Sequence, residues 1–147
     1  MSKKKILLSL IAISLTLNAF ANPIHSYQSL VSAMHAGNYF VILSNLQQCT
    51  GKSDMPTGYF TPNAMLLVPA TATAPEHIAT ADLHFTDGTG NPNYEYIKYT
   101  FNPDNSVVIR TTVYNPQNFQ PVGTDHVIHC ALDKGVEVNT VTLMPHE

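Results

Sequence analysis

Near the start of the folded part of the chain, apolar positions recur with the period of a helix; further on they alternate with the period of a strand. Tyr27, Leu30, Val31 and Met34 stand at i, i+3, i+4 and i+7, one apolar stripe on a helix. Ser26 precedes the stripe as an N-cap, and Gly37 follows where the helix must end in the left-handed region. Ser29, Ser32 and His35 fall on the opposite, wet side. Residues 39–46 form an almost unbroken apolar run, the pattern of a strand buried on both faces. Residues 50–62, with Gly51, Pro56, Gly58 and Pro62, read as a loop. Residues 64–68 read as a short strand and residues 69–75 as an Ala/Thr/Pro connector.

Three longer segments, residues 77–86, 94–101 and 106–114, alternate with period two. The first is predicted to bury Ala79, Ala81, Leu83 and Phe85. The second buries Ile97, Tyr99 and Phe101, and the third Val107, Ile109 and Val113. Matching apolar to apolar sets the registers, because a one-residue slip turns every side chain over. Phe101 then faces Val107, Tyr99 faces Ile109, and Leu83 faces Ile97. A last hairpin is predicted at Asp133-Lys134-Gly135, with Ile128, Cys130, Leu132, Val136 and Val138 on its inner face. Together these elements predict an α+β domain: an N-terminal helix packed on an antiparallel β-meander. Alternation alone is equally consistent with a flat sheet and with one curled into a half-barrel.

The first residues are an address. Lys3, Lys4 and Lys5 precede an apolar run over residues 6–17, and Ala19-Phe20-Ala21 supplies a small-x-small cleavage site. Twelve helical residues rise only about 18 Å, too short for a hydrocarbon core of about 30 Å. Residues 1–21 are therefore predicted to be a signal peptide cleaved after Ala21, and residues 22–147 a single exported domain, periplasmic or secreted. No second apolar run of membrane length follows. Removing the leader's lysines leaves 4 basic residues against 10 acidic ones, so the formal charge moves from -3 to -6. That balance argues against a nucleic-acid partner. In an oxidising compartment the two cysteines, Cys49 and Cys130, are expected to form one disulfide.

The predicted registers bring Asp82, Lys98 and Arg110 side by side on the outward face, ringed by His84, Tyr94, Tyr96 and Tyr114. This is a candidate binding patch, a cation pair with aromatic walls suited to a small anion or a carbohydrate. The same residues also make an ordinary cross-strand charge row with strand-forming tyrosines. The seven histidines form no metal-ligand spacing: His126 and His129, like His77 and His84, point to opposite faces of a strand. No nucleophile elbow, phosphate loop or paired catalytic carboxylates are present. The expectation is a protein without catalytic residues, bound metal or cofactor.

Several of these residues resemble a known family. Tyr27-Gln28-Ser29-Leu30 to Gly37, Val41, and Leu46 to Cys49-Thr50 resemble the start of VirK family proteins. So do Tyr94-Glu95-Tyr96, Ser106-Val107-Val108-Ile109-Arg110, Tyr114-Asn115-Pro116 and Cys130 before Gly135-Val136. The resemblance implies a small exported bacterial protein associated with virulence, and it supplies no catalytic residues. The expected function is an exported accessory protein binding a protein or envelope component. Two alternatives are a small-ligand carrier with a cavity between helix and sheet, and a hydrolase or other enzyme whose site is assembled from loops.

Overall fold

A computed structural model describes residues 21–50, 57–87, 90 and 92–141. The leader up to residue 20, and Gly88 and Thr89 of the turn after residue 87, lie outside the described residues. In chain order the elements are β1 (Ala21–Ile24), α1 (Tyr27–His35), β2 (Tyr39–Ser44) and a 3-10 turn (Leu46–Gln48). There follow β3 (Gly58–Phe60), β4 (Leu66–Val68), β5 (His77–Thr86), β6 (Asn93–Phe101), β7 (Ser106–Tyr114), β8 (His126–Leu132) and β9 (Gly135–Val141). The class is mainly β rather than α+β, because one nine-residue helix accompanies a single curled, half-barrel sheet. Strands run in the order β3-β2-β9-β8-β7-β6-β5-β4, and β1 pairs β9 on the side away from β2.

The helix forms as its stripe and caps dictate. Ser26 Oγ accepts from the Ser29 amide at 3.2 Å, and Gly37 ends the helix at φ +74°. Its inner face buries Tyr27, Leu30 and Ala33 on the concave side of the sheet. The Tyr27 amide donates to Asn105 Oδ1 at 2.7 Å, tying the helix start to the β6–β7 turn. Under the helix lie Ile42, Ile78, Phe101, Ile109, Ile128 and Val136, all essentially fully buried.

The disulfide forms between Cys49, just after the 3-10 turn, and Cys130 on β8, with the Cα atoms 4.6 Å apart. Thr50 and His129 exchange backbone hydrogen bonds of 2.8 and 2.9 Å beside it.

Four expectations need correction. β2 is buried on one face only: Phe40, Ile42 and Ser44 point in, while Tyr39 is exposed and Val41 and Leu43 are half-buried. Inside the predicted 50–62 loop, Gly58–Phe60 forms an edge strand against β2. The chain does turn at Asp133 and Gly135, both with positive φ, and buries the predicted face of Ile128, Cys130, Leu132, Val136 and Val138. Yet β9 does not fold back antiparallel on β8. It runs parallel to β8 for two residue pairs, then takes full antiparallel ladders with β2 and β1. A sheet edge that offers a longer ladder takes the strand, whatever the local turn chemistry.

The fourth correction decides what lies on each face. The β6–β7 register is as expected, with Phe101 opposite Val107 and Tyr99 opposite Ile109. The β5–β6 register is one residue off: Ile97 faces Asp82, and Leu83 faces Tyr96. Hence Ile78 and Thr80 are the buried residues of β5, not Ala79, Ala81, Leu83 and Phe85.

Candidate functional site

On the outer side of β5, β6 and β7, ladder pairing sets side chains in rows. One row is Ala81, Lys98 and Arg110; the next is Leu83, Tyr96 and Thr112; the third is Phe85, Tyr94 and Tyr114. Phe119, from the connection after β7, covers the third row. Its ring stacks on Tyr94 with centroids 5.1 Å apart and lies 6.3 Å from Tyr114, while Phe85 meets Tyr94 edge-on at 5.5 Å. Phe119 has φ +55°, a left-handed conformation that L residues other than Asn and Asp rarely take. A strained backbone thus holds an aromatic ring that remains 53% exposed.

The cations of this face differ in their surroundings. Arg110 donates to Asp125 Oδ2 at 3.1 Å, and Thr112 donates to Asp125 Oδ1 at 2.8 Å. The Thr112 hydroxyl, and after it Arg110, hold the Asp125 carboxyl below the usual aspartate range. Asp125 thus ties Arg110 and Thr112 together on this face. Lys98 makes no ion pair among the described residues.

Tyr94, Tyr96, Lys98, Arg110 and Tyr114 therefore share the outer face, as the sequence places them. Asp82 and His84 do not. The one-residue shift in β5 turns both to the concave side, where His84 Nδ1 meets Asp82 Oδ2 at 2.9 Å. His84 Nε2 lies 3.5 Å from Glu95 Oε2 on β6. Asp82 and His84 border a hollow of about 400 Å³ walled by Tyr59, Phe60, Ile97 and Tyr99. The Asp82–Lys98–Arg110 row is thus replaced by Ala81–Lys98–Arg110.

Deep in this hollow Tyr99 OH and Ser44 Oγ are hydrogen-bonded at 2.9 Å, joining β6 to β2 across the interior. Burial pushes the Tyr99 hydroxyl above the ordinary tyrosine range; the hydrogen bond to Ser44 opposes this, and Asp82 and Glu95 add to it. A phenol whose folded pKa is raised contributes stability that is full below about pH 10 and is lost as pH rises through the folded value. Unfolding midpoints should therefore fall above pH 10 in the wild type and fall less steeply in Tyr99→Phe. Parallel curves for the two proteins would refute this.

Glu95, Ala79, Phe85 and Phe119 belong to these surfaces but were not among the sequence-predicted site residues. The signal that could have found them is the pairing of small Ala79 and Ala81 with large Leu83 and Phe85 on one side of a strand whose other side carries Asp82 and His84. Between the helix and the sheet the interior is filled by Tyr27, Leu30 and Ile42. Clefts of about 230 and 150 Å³ lie at the rim of the helix, beside Met34. Among the described residues no three His, Cys, Asp or Glu side chains are grouped to hold a metal ion. No helix among them is long and apolar enough to cross a membrane.

Residues 23–119 match the family model of the VirK protein. The chain belongs to the VirK family. The matched span runs from β1 through the whole candidate face to Phe119 and stops before β8 and Cys130. An uncharacterized protein of Sinorhizobium fredii, y4wH, is 27% identical over 113 residues, which are 76% of this chain and 77% of that protein. Among solved structures, the crystal structure of lpg1832, a VirK family protein from Legionella pneumophila, superposes with a TM-score of 0.71 at 25% identity. The superposition covers 80% of this chain and 98% of that one. The fold is thus shared, over most of this chain, with another VirK family protein.

Proposed function

We propose that this VirK-family chain is an exported, non-enzymatic accessory protein that binds a protein or envelope component through the outer face of β4 to β7. One observation carries the reading: apolar side chains that a sheet normally buries are held outward here. Leu66, Leu83 and Phe85 are 63%, 50% and 59% exposed, and they adjoin the Tyr94–Phe119 stack and Lys98. Exposed apolar groups gathered on one face are the mark of an interaction site, whereas scattered ones need no explanation. Large aromatic anchors beside a cation are also what binding surfaces concentrate. Export is supported by the leader pattern in the sequence and by the Cys49–Cys130 disulfide, which suits an oxidising compartment. The association with virulence rests on the family resemblance.

The test places a photo-crosslinking amino acid at Phe85 on this face and at Gln28 on the exposed side of the helix, in living cells. The expected result is a discrete adduct from position 85 that is absent from position 28. Identical products at both positions, or none at either, would remove the outer face from the proposal.

A further inference from the structure

Strand β5 is laddered unequally on its two edges. Toward β6 it is paired from Ile78 to Thr86, whereas β4 takes up the other edge at His77, Ile78 and Ala79 alone. Among the described residues no strand or bridge meets that second edge beyond Ala79. The chain before β4 stays beside it only as far as Ala64, whose carbonyl accepts the Thr80 hydroxyl at 2.6 Å.

Ladder geometry tells which groups are open there. The Asn102 amide donates to the Ser106 carbonyl at 2.9 Å, which makes these two a hydrogen-bonded pair at the β6–β7 turn. By alternation, the odd-numbered residues of β6 bond toward β5, and their partners are the even-numbered residues of β5. Ala81, Leu83 and Phe85 therefore direct amide and carbonyl to the open edge, and the same three carry side chains on the outer face. The register with β6 runs unbroken from Ile78 to Thr86, so no bulge twists this edge away, and no proline or lysine blunts it.

The inner side of the stretch selects the occupant. Asp82 and His84 point there, so an added strand with an apolar inner side would set its apolar groups against two polar ones. A second copy of β5, laid antiparallel about a two-fold axis at Leu83, meets them with their complements. Asp82 then faces His84 of the other copy, and this pair occurs twice. On the outer side Ala81 faces the other copy's Phe85, small against large, and Leu83 faces Leu83. The adjacent two-fold registers put Asp82 against Asp82 or His84 against His84 on the axis, and like charges directly opposite are unfavourable.

We propose that this chain forms a two-fold homodimer through the open edge of β5 from Ala81 to Phe85, joining two half-barrels into one continuous sheet. Residues 81, 83 and 85 of the two copies supply about six backbone hydrogen bonds across the axis. The two outer faces lie side by side, so the dimer extends the surface assigned to binding. This inference goes beyond the proposed function and does not depend on it.

The experiment compares the wild type, Leu83→Lys, Leu83→Cys and Gln28→Cys, all without leader, by sedimentation equilibrium and by non-reducing electrophoresis after mild oxidation. The wild type is expected to approach twice the monomer mass as its concentration rises. Leu83→Lys sets two lysines against each other from a half-exposed position and should weaken association more than tenfold, with an unchanged circular dichroism spectrum. Hydrogen-bonded partners across an antiparallel ladder have Cα atoms about 5.5 Å apart, within reach of a disulfide. Leu83→Cys should therefore oxidise to a covalent dimer bridged at position 83, and Gln28→Cys on the helix should stay monomeric. A wild type that is monomeric at every concentration would overturn the proposal. So would a dimer unmoved by Leu83→Lys, or equal bridging at positions 28 and 83. A position-85 photo-adduct with another protein, from a chain that sediments as a monomer, would leave the proposed function standing and remove the dimer. An adduct between two copies alone would support the dimer and count against that function.

Discussion

Replacing Cys49 and Cys130 together by alanine is expected to lower the unfolding free energy of the oxidised protein by about 3–5 kcal/mol. The bridge joins residues 81 apart in sequence, and the chain-entropy model assigns a closed loop of that length about 4–5 kcal/mol in the unfolded state. Its position adds to the expectation. Cys49 follows the strand that anchors β9, and Cys130 lies on β8, so the bond ties together the two sides of the sheet's bend. At that bend β8 and β9 share only two residue pairs, which makes the bridge the main covalent brace of the curl. Urea unfolding followed by circular dichroism measures the effect as a lowered midpoint. Reducing the wild type should reproduce it, and the same reductant should leave the double variant unmoved. A loss under about 1 kcal/mol, below the usual range for removing a native disulfide, would mean that native contacts alone hold the bend.

How far the sequence foretold this arrangement depended on which physical rule governed each segment. Helix α1 was legible because Ser26, the Tyr27/Leu30 stripe and Gly37 agree with one another, and agreement between levels marks a well-specified element. Strands β6 and β7 were legible for a similar reason: inward Ile97, Tyr99, Val107 and Ile109 sit opposite outward Lys98 and Arg110. The disulfide followed from two cysteines in a chain with a leader pattern, and the family from residues spread along the matched span.

Strand β5 misled, and the reason is physical. Pattern reading assumes that the apolar side of a strand faces the core. In β5 the rule holds at Ile78 and fails from residue 82 onward, where Asp82 and His84 turn into the hollow and Leu83 and Phe85 turn out. Two carboxylates satisfy His84 on the inner side, which allows a polar side chain there without a lost partner. That inversion separated Asp82 and His84 from the other five residues of the predicted patch. It also created the apolar outer surface on which the proposed function rests. The failure of the rule and the candidate site occur at the same residues, as expected where function overrides packing. Strands β1 and β9 were hidden for a different reason: their partners lie far along the chain, and no local pattern records a ladder between Ala21–Ile24 and Gly135–Val141.

The second large effect is expected from Gly135→Ala, at the bend itself. Gly135 has φ +92°, outside the range L side chains readily adopt, and a Cβ there would lie 2.5 Å from Cys49 Sγ. Two separate costs follow. The backbone conformation costs about 1–2 kcal/mol for any L residue. The approach to sulfur forces either the bridge or the β8–β9 bend to move, and overpacking of that kind costs about 1–3 kcal/mol more. The sum, about 2–5 kcal/mol, rivals loss of the disulfide, and part of the purified variant should carry alkylatable thiols. The two costs separate in a mutant cycle. With Cys49→Ala and Cys130→Ala already in place the sulfur is gone, so Gly135→Ala should cost only the backbone share. A cycle with no coupling between Gly135 and the cysteines would show that the glycine serves the turn alone. Coupling above about 1 kcal/mol would show that Gly135 is also needed to make room for the bridge that braces the curled sheet.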